Sequence, residues 1–193
     1  MPSTMLKFAR AANFDELGIR LIGAVEYLKD EYYQQLEREY YERKIKDTAA
    51  EVGDDLWIGG KSTVNSRTVI GDNAHFLGLN VRGNGALTIG DNFHAGSGCE
   101  IITAHHNYDD GDAIPYDDTF ITEPVGIGDN VWFGIDVTVL DGVSIGEGAV
   151  IQAGSVVTSD IPRGAIAGGH PAEAFDERDM DHYEAMKSAG NFN

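Results

Sequence analysis

The chain has 193 residues, enough for one well-buried domain with a helical appendage. Thirty-two acidic residues face fourteen basic ones, a formal net charge of −18, which argues against nucleic acid and anionic membrane as partners because phosphate groups are bound by Lys and Arg. No apolar run approaches the ~18 residues of a membrane span, the first ten residues lack a signal-peptide pattern, and the single Cys99 cannot form an intrachain disulfide; a soluble cytoplasmic protein is expected.

The acids are scattered rather than gathered in a tail, and lysine is confined to Lys7, Lys29, Lys44, Lys46, Lys61 and Lys187. Such a surface self-repels in dilute buffer and tolerates concentrated salt, where the Debye length falls to ~3 Å near 1 M. It resembles the surfaces of salt-in halophile proteins.

In chain order, the first expected element is a helix over residues 14–46, within an N-terminal helical segment at 1–50. The stretch is rich in Leu, Glu, Gln, Lys and Arg and contains no proline. Leu17, Leu21, Ala24, Val25, Leu28 and Tyr32 share one face, while Gly18 and Gly23 mark a place where the helix is free to break. The tyrosines Tyr32, Tyr33, Tyr40 and Tyr41 read as a packing surface toward the rest of the chain or a neighbouring subunit.

From about Val52 the texture changes. Apolar residues recur at every sixth position, as Ile58, Val64, Ile70 and Phe76, then Ile89, Ala95 and Ile101, then Ile127, Phe133, Val139, Ile145, Ile151 and Val157. A period of six is neither helical nor simple alternation. It fits a triangular parallel β-coil in which each hexapeptide gives a short strand and a tight turn, three make a coil, and coils stack through backbone hydrogen bonds. Gly, Asn and Asp at the corners tolerate the positive φ that such turns need. Two slips interrupt the beat. The nineteen positions from Ile70 to Ile89 extrude one residue near 77–85, and the twenty-six from Ile101 to Ile127 send much of "HHNYDDGDAIPYDDTFITEP" out of the coil as a protruding loop at about 105–124. Adjacent His105 and His106 stand where that loop begins, and loops on rigid scaffolds are where function concentrates. The coil is expected over 51–172, and a partly helical tail over 173–193.

The segment "PVGIGDNVWFGIDVTVLDGVSIGEGAVIQAGSVVTSDIPRGAIAGGHPA", with "IGDN" at 89–92 and "HNY" at 106–108, closely resembles the hexapeptide-repeat acyltransferases of the galactoside, maltose and xenobiotic acetyltransferase group. The resemblance covers roughly residues 69–172. It implies a mainly β fold, a left-handed parallel β-helix, acetyl-CoA as co-substrate with no metal, and O-acetylation of a small carbohydrate-like acceptor or, alternatively, of a xenobiotic. It also implies a homotrimer with sites between subunits. The group's general base maps to His106, fourteen positions after Asn92, with His105 as its alternative. Imidazole titrates near neutrality, so it is suited to taking the proton of a hydroxyl attacking a thioester. By the same resemblance Gly134, Ala153 and Ser155 border the donor and Trp132 the acceptor. Two departures stand out. Ser159 replaces the usual Lys associated with CoA phosphates, leaving Arg163 as the candidate phosphate partner, and His170 replaces an Asn. Asn80, Arg82 and Asn84 on the extruded segment, and Tyr108 beside the base, are candidates for acceptor contacts, each weighed against a plain solvated role.

Three other readings fit the residues less well. A zinc enzyme is the first, since a β-helix class similar in fold supports carbonic anhydrase activity through zinc held with an H-x4-H spacing, but no histidine lies five beyond His105 or His106. His75 and His94, nineteen apart, are placed to stack on the coil surface. "GGKS" at 59–62 resembles the end of a phosphate loop, but Asp55 stands where its first glycine belongs and a carboxylate there repels phosphate. An inert β-helix scaffold is disfavoured by the intact histidine loop and terminal signature.

Overall fold

The structure, a computed structural model, describes residues 14–193. Two compact units meet between Glu37 and Arg38. Helix α1 runs unbroken over Phe14–Thr48. Gly18 and Gly23 do not interrupt it, and a Cβ at either would meet nothing within 4 Å. In the first unit Leu17, Leu21, Val25, Leu28 and Tyr32 are all exposed on the helix. In the second unit the last turns of α1 close one end of the coil. Ile45 is fully buried, Tyr41 packs against the core, and the amide of Ile58 donates to Glu42 Oε1 at 3.4 Å.

The hexapeptide beat becomes three parallel sheets. One holds β1 (Glu51–Val52), β3 (Thr68–Ile70), β6 (Leu87–Ile89), β11 (Val125–Ile127) and β14 (Ser144–Ile145). The second holds β2 (Trp57–Ile58), β4 (His75–Phe76), β7 (His94–Ala95), β12 (Trp132–Phe133), β15 (Val150–Ile151) and β17 (Ala165–Gly169). The third holds β5 (Leu79–Arg82), β8 (Cys99–Ile102), β13 (Thr138–Val139) and β16 (Val156–Val157). At the far end β18 (Ala172–Glu177) folds back antiparallel on β17, and helix α2 (Met180–Ser188) follows, N-capped by the Asp179 side chain.

From Val125 onward each hexapeptide buries two residues rather than the single one expected, whereas Val64 and Val81 in earlier coils are only half-buried. Ile127, Phe133, Val139, Ile145, Ile151 and Val157 are all inside, and so are Val125, Val131, Val137, Val143, Ala149 and Ser155, each two positions earlier. Alternation along a strand of two or three residues puts positions i and i−2 on one side, so both face the axis. Phe76, Phe93 and Phe133 fill the centre, with ring centroids 6.0 Å and 5.1 Å apart. Asn73, Asn92 and Asn130 take φ of 54°, 54° and 58° at equivalent corners. Their side chains form a ladder, Asn73 Nδ2 donating to Asn92 Oδ1 and Asn92 Nδ2 to Asn130 Oδ1.

The register carries both slips. Trp57 pairs with His75, eighteen residues on, and His75 with His94, nineteen on. Trp132 pairs back to His94 across thirty-eight, so twenty residues leave the coil between those rungs. They form the hairpin of β9 (Ala104–His106) and β10 (Phe120–Thr122) and the loop between them. The smaller slip falls at the Gly83–Gly85 turn. Thr63 bridges Asn80 seventeen residues away, while Thr68 pairs with Leu87 nineteen away.

Two outcomes follow for stability. Phe133→Ala empties the centre of the aromatic stack and should cost about 3–5 kcal/mol in denaturant unfolding. His94 titrates below an ordinary imidazole, because burial disfavours its charged form and His75, its ring tilted against it at 4.5 Å, repels it, while the Asn193 backbone opposes the shift. The unfolded chain therefore binds this proton more readily than the folded one. Its stabilisation is complete above about pH 6.5 and is lost as pH falls through the depressed folded value. Melting scans from pH 7.5 to 5 should show a decline that His94→Gln makes shallower; an unchanged slope in the variant would contradict this.

Candidate active site

The site grows from the place where β8 ends. Thr103 is fully buried, and its hydroxyl donates to the carbonyl of Arg82 at 2.9 Å and accepts from the amide of Gly85 at 3.1 Å. One side chain thereby ties the extruded Gly83–Gly85 turn to the strand entering the hairpin. The contact is close, since a Cβ on Gly83, where φ is 88°, would lie 2.8 Å from Ala104 Cβ. Between that turn and the hairpin opens a cleft of 630 Å³ lined by Arg82, Asn84, Ile102, Ala104, both histidines and Phe120.

The two histidines have different surroundings. His105 Nδ1 lies 2.5 Å from Asp141 Oδ2, in the turn after β13. The side chains are 32% and 12% exposed, so the pair is largely shielded from water. His106 stacks on Tyr116 with centroids 3.9 Å apart and packs against Phe120 at 4.3 Å. Its Nδ1 is buried without a hydrogen-bond partner. Tyr108 is exposed, its ring 5.5 Å from that of His105.

The other expected residues are spread around this cleft. Arg82 and Asn84 line it, but Arg82 is clamped by Glu100 through bonds of 2.9 and 2.6 Å, which hold the Glu100 carboxyl below its usual range. Asn80 accepts from the Thr63 hydroxyl at 3.1 Å. Trp132 is 54% exposed and lies on the second sheet, away from the third sheet that leads to the histidines. There it borders another groove, of 500 Å³, with His94, Asn130, His182, Tyr183 and Lys187. The chain by itself thus does not bring Trp132 and the histidines together.

Gly134 and Ala153 stack at the corner between the second and third sheets, where a Cβ on Gly134 would lie 2.6 Å from the Ala153 amide nitrogen. Ala153 and Ser159 are exposed. The corner is therefore an open, small-residue ledge, suited to a flexible chain bound through backbone groups. Ser155 is fully buried, donating to the Gln152 carbonyl at 2.7 Å, so its hydroxyl serves the coil interior. Arg163 bonds Glu147 and Glu184. Around it Lys187 also donates to Glu147, and Tyr183, whose hydroxyl bonds the same carboxylate, is pushed up to about 12 by burial and by that charge. Among the described residues no three His, Cys, Asp or Glu side chains are grouped to hold a metal ion, and no helix is long and apolar enough to cross a membrane.

Three features escaped the sequence: Asp141, Thr103 and the aromatic pair Tyr116 and Phe120. Asp141 was findable. Val139 pairs with Ile101 thirty-eight residues back, so Asp141 lies level with Thr103, two residues before His105. The aromatics lie in the loop, where no period sets their position.

The family profile described as the hexapeptide repeat of succinyl-transferase matches residues 124–159. Galactoside O-acetyltransferase of Escherichia coli (strain K12) is 32% identical over 162 residues, 76% of this chain and 74% of that one. A Schizosaccharomyces pombe protein named as an acetyltransferase is 44% identical over 90 residues, but the match spans only 41% of its length. In three dimensions a galactoside acetyltransferase in complex with coenzyme A superposes with a TM-score of 0.60 at 32% identity, over 72% of this chain and 70% of that one. The coil is thus a left-handed parallel β-helix, and the chain belongs to the hexapeptide-repeat acetyltransferases. These are CoA-dependent acyltransferases whose donor is acetyl-CoA.

Thr103→Val should release the Gly83–Gly85 turn by leaving the Gly85 amide and Arg82 carbonyl unpaired, at about 1–3 kcal/mol of stability. Thermal melts would read that loss. Thr103→Ser, which keeps the hydroxyl, should lose less, and equal losses in the two variants would contradict the tie.

Proposed function

We propose that the chain transfers acetyl from acetyl-CoA to a hydroxyl of a carbohydrate acceptor, directly in a ternary complex, with His106 as general base. The observation that carries this reading is the cleft itself. A rigid coil delivers a histidine, an amide side chain and an aromatic ring to one opening, in a family whose members act on acetyl-CoA. In the step, the His106 imidazole takes the proton of the acceptor hydroxyl as its oxygen bonds to the thioester carbonyl carbon. The carbon–sulfur bond breaks, and the proton is returned to the departing thiolate. A base so placed contributes about 10²–10⁴-fold.

The surroundings favour an acceptor without phosphate. The loop over 105–124 carries Asp109, Asp110, Asp112, Asp117, Asp118 and Glu123 and no Lys or Arg. The one cation lining the cleft, Arg82, is neutralised by Glu100. Such a field repels anions, while Tyr108, Tyr116 and Phe120 offer faces for the apolar side of a sugar ring. A nucleotide sugar is therefore less suited than a neutral glycan unit, and a xenobiotic with hydroxyls of similar polarity is the alternative.

Gly134, Ala153 and Ser159 are the residues that would hold the donor arm, with Ser155 contributing its backbone only. Trp132 joins the site from a neighbouring subunit in a homotrimer, which accounts for its separation from the histidines within one chain. Arg163 reaches CoA phosphate only by exchanging Glu184 for it, and in a chain of net charge −18 that grip needs screening. A halophilic cytoplasm supplies both the salt and the acetyl-CoA.

Coenzyme A release from acetyl-CoA, followed in molar KCl with galactosides, maltose and other neutral sugars, tests the reading. Sugar-dependent release should appear and should fall at least a hundredfold in His106→Ala. Release that survives there but disappears in His105→Ala would move the base to His105, the reading that the Asp141 contact favours. The KM for acetyl-CoA should fall as KCl rises from dilute to molar, and a flat or rising KM would reject both the weak-grip and the halophile readings.

A further inference from the structure

Resting on the assignment of the base to His106, we propose that Asp141 is a positioning residue for the transfer, holding His105 so that strand β9 presents His106 to the cleft. Adjacent residues of an extended strand point to opposite sides. The strand pairing is explicit: His105 opposes Ile121 and His106 opposes Phe120 across the hairpin. One histidine therefore turns to the coil and meets Asp141, and its neighbour turns away into the stack with Tyr116 and Phe120. The division of roles follows. His105 has a carboxylate partner and only limited exposure, while His106 Nδ1 has no hydrogen-bond partner among the described residues.

The loop has few other means of holding that orientation. The side-chain hydrogen bonds within it are internal. Asn107 Oδ1 accepts from the Asp110 amide, and the Asp117 carboxylate accepts from the amides of Asp112 and Thr119 and from the Thr119 hydroxyl. Among the described residues, the Asp141–His105 contact is the one side-chain hydrogen bond joining residues 105–124 to the coil. The rings that stack on His106 belong to the same loop, so they move with it and cannot fix it against the coil. Asp141, by contrast, follows β13, which is paired on both sides by β8 and β16. It carries the rigidity of the stacked coils to the strand that bears the base. The charged groups facing this pair are Asp141 itself and, at the next residue's corner, Glu123, whose Oε2 would lie 2.3 Å from a Cβ on Gly142. Among the described residues no Lys or Arg pairs with Asp141, which leaves its carboxylate to the imidazole.

The mechanism being geometric, a neutral side chain of the same shape should serve. Asp141→Asn retains an oxygen that accepts from His105 Nδ1, whereas Asp141→Ala retains nothing. With the best acceptor from the sugar panel, Asp141→Ala should lower kcat at least tenfold while leaving the KM for acetyl-CoA within about twofold. Asp141→Asn should recover most of the loss. Asp141→Ala combined with His105→Ala should be no worse than either alone, since both remove one contact. Amide hydrogen exchange over residues 104–107 should be faster in Asp141→Ala and close to normal in Asp141→Asn, a readout that needs no acceptor. Wild-type kcat and exchange in Asp141→Ala would overturn the proposal and leave His106 in place as the base. Should Asp141→Asn be as damaged as Asp141→Ala, with His105→Ala inactive and His106→Ala active, the pair would instead be a carboxylate-oriented base, and the parent assignment would fall as well.

Discussion

The structure depends on vertical registry between stacked coils. Each rung offers its amides and carbonyls to the rungs beside it, so a backbone group has a partner only if the neighbouring coil has the same length at that point. Corners are where that length is set. Asn73, Asn92 and Asn130 accept positive φ at equivalent corners of successive coils, and their amides bond one to the next until Asn130 Nδ2 reaches the Tyr183 hydroxyl at 2.9 Å. Aspartates add a parallel series, Asp72 Oδ1 accepting from the amide of Asp54, Asp91 from that of Asp72 and Asp129 from that of Asp91. The corners thus add side-chain ladders to the backbone bonds between the short strands.

Registry also decides where function can sit. A residue added to one coil must leave the sheet, because pushing it inward would displace two buried side chains per hexapeptide. Both departures from the beat lie on one edge of the third sheet, the Gly83–Gly85 turn and the hairpin of β9 and β10, and Thr103 ties them together. The cleft is therefore the space between two extrusions. Its walls are held by a rigid stack, while its contents, the aromatics and the acidic loop, are free of the repeat.

Much of this was legible in the sequence because the constraint is periodic. The inward positions from Ile58 to Val157 and the turn residues at the corners could be read by counting in sixes, and the two slips located both extrusions. The second inward layer, from Leu56 through Val131 to Ala149, was visible as apolar residues two positions earlier but carries small and polar members such as Ser155, which weakened the signal. Around the site the histidines were legible and their partners less so. Asp141 is separated from His105 by thirty-six residues, and only the excursion length converts that distance into adjacency. Tyr116 and Phe120 reach His106 through a loop whose path obeys no period. Arg163 and Arg82 looked like free cations in a sequence short of them. Each is taken by carboxylates, which in a chain this acidic is the expected fate of any arginine near an edge.

That last point bears on how such a surface can hold a charged donor at all. With fourteen basic residues against thirty-two acids, the cation–carboxylate pairs of the coil, Arg82 with Glu100, Arg163 with Glu147 and Glu184, and Lys187 with Glu147 among them, withdraw charge from ligand binding. Exposed pairs of this kind are worth about 0–1 kcal/mol each, so they are cheap to exchange. In the proposed donor site, phosphate would therefore displace Glu184 from Arg163 at small cost, provided that the surrounding acids are screened. Backbone contacts of the kind proposed at the Gly134 and Ala153 ledge would be indifferent to salt. A donor gripped mainly through backbone, and only secondarily through an exchangeable arginine, is compatible with an acidic surface in a way that a lysine-based grip is not, and Ser159 in place of lysine is consistent with that division of labour.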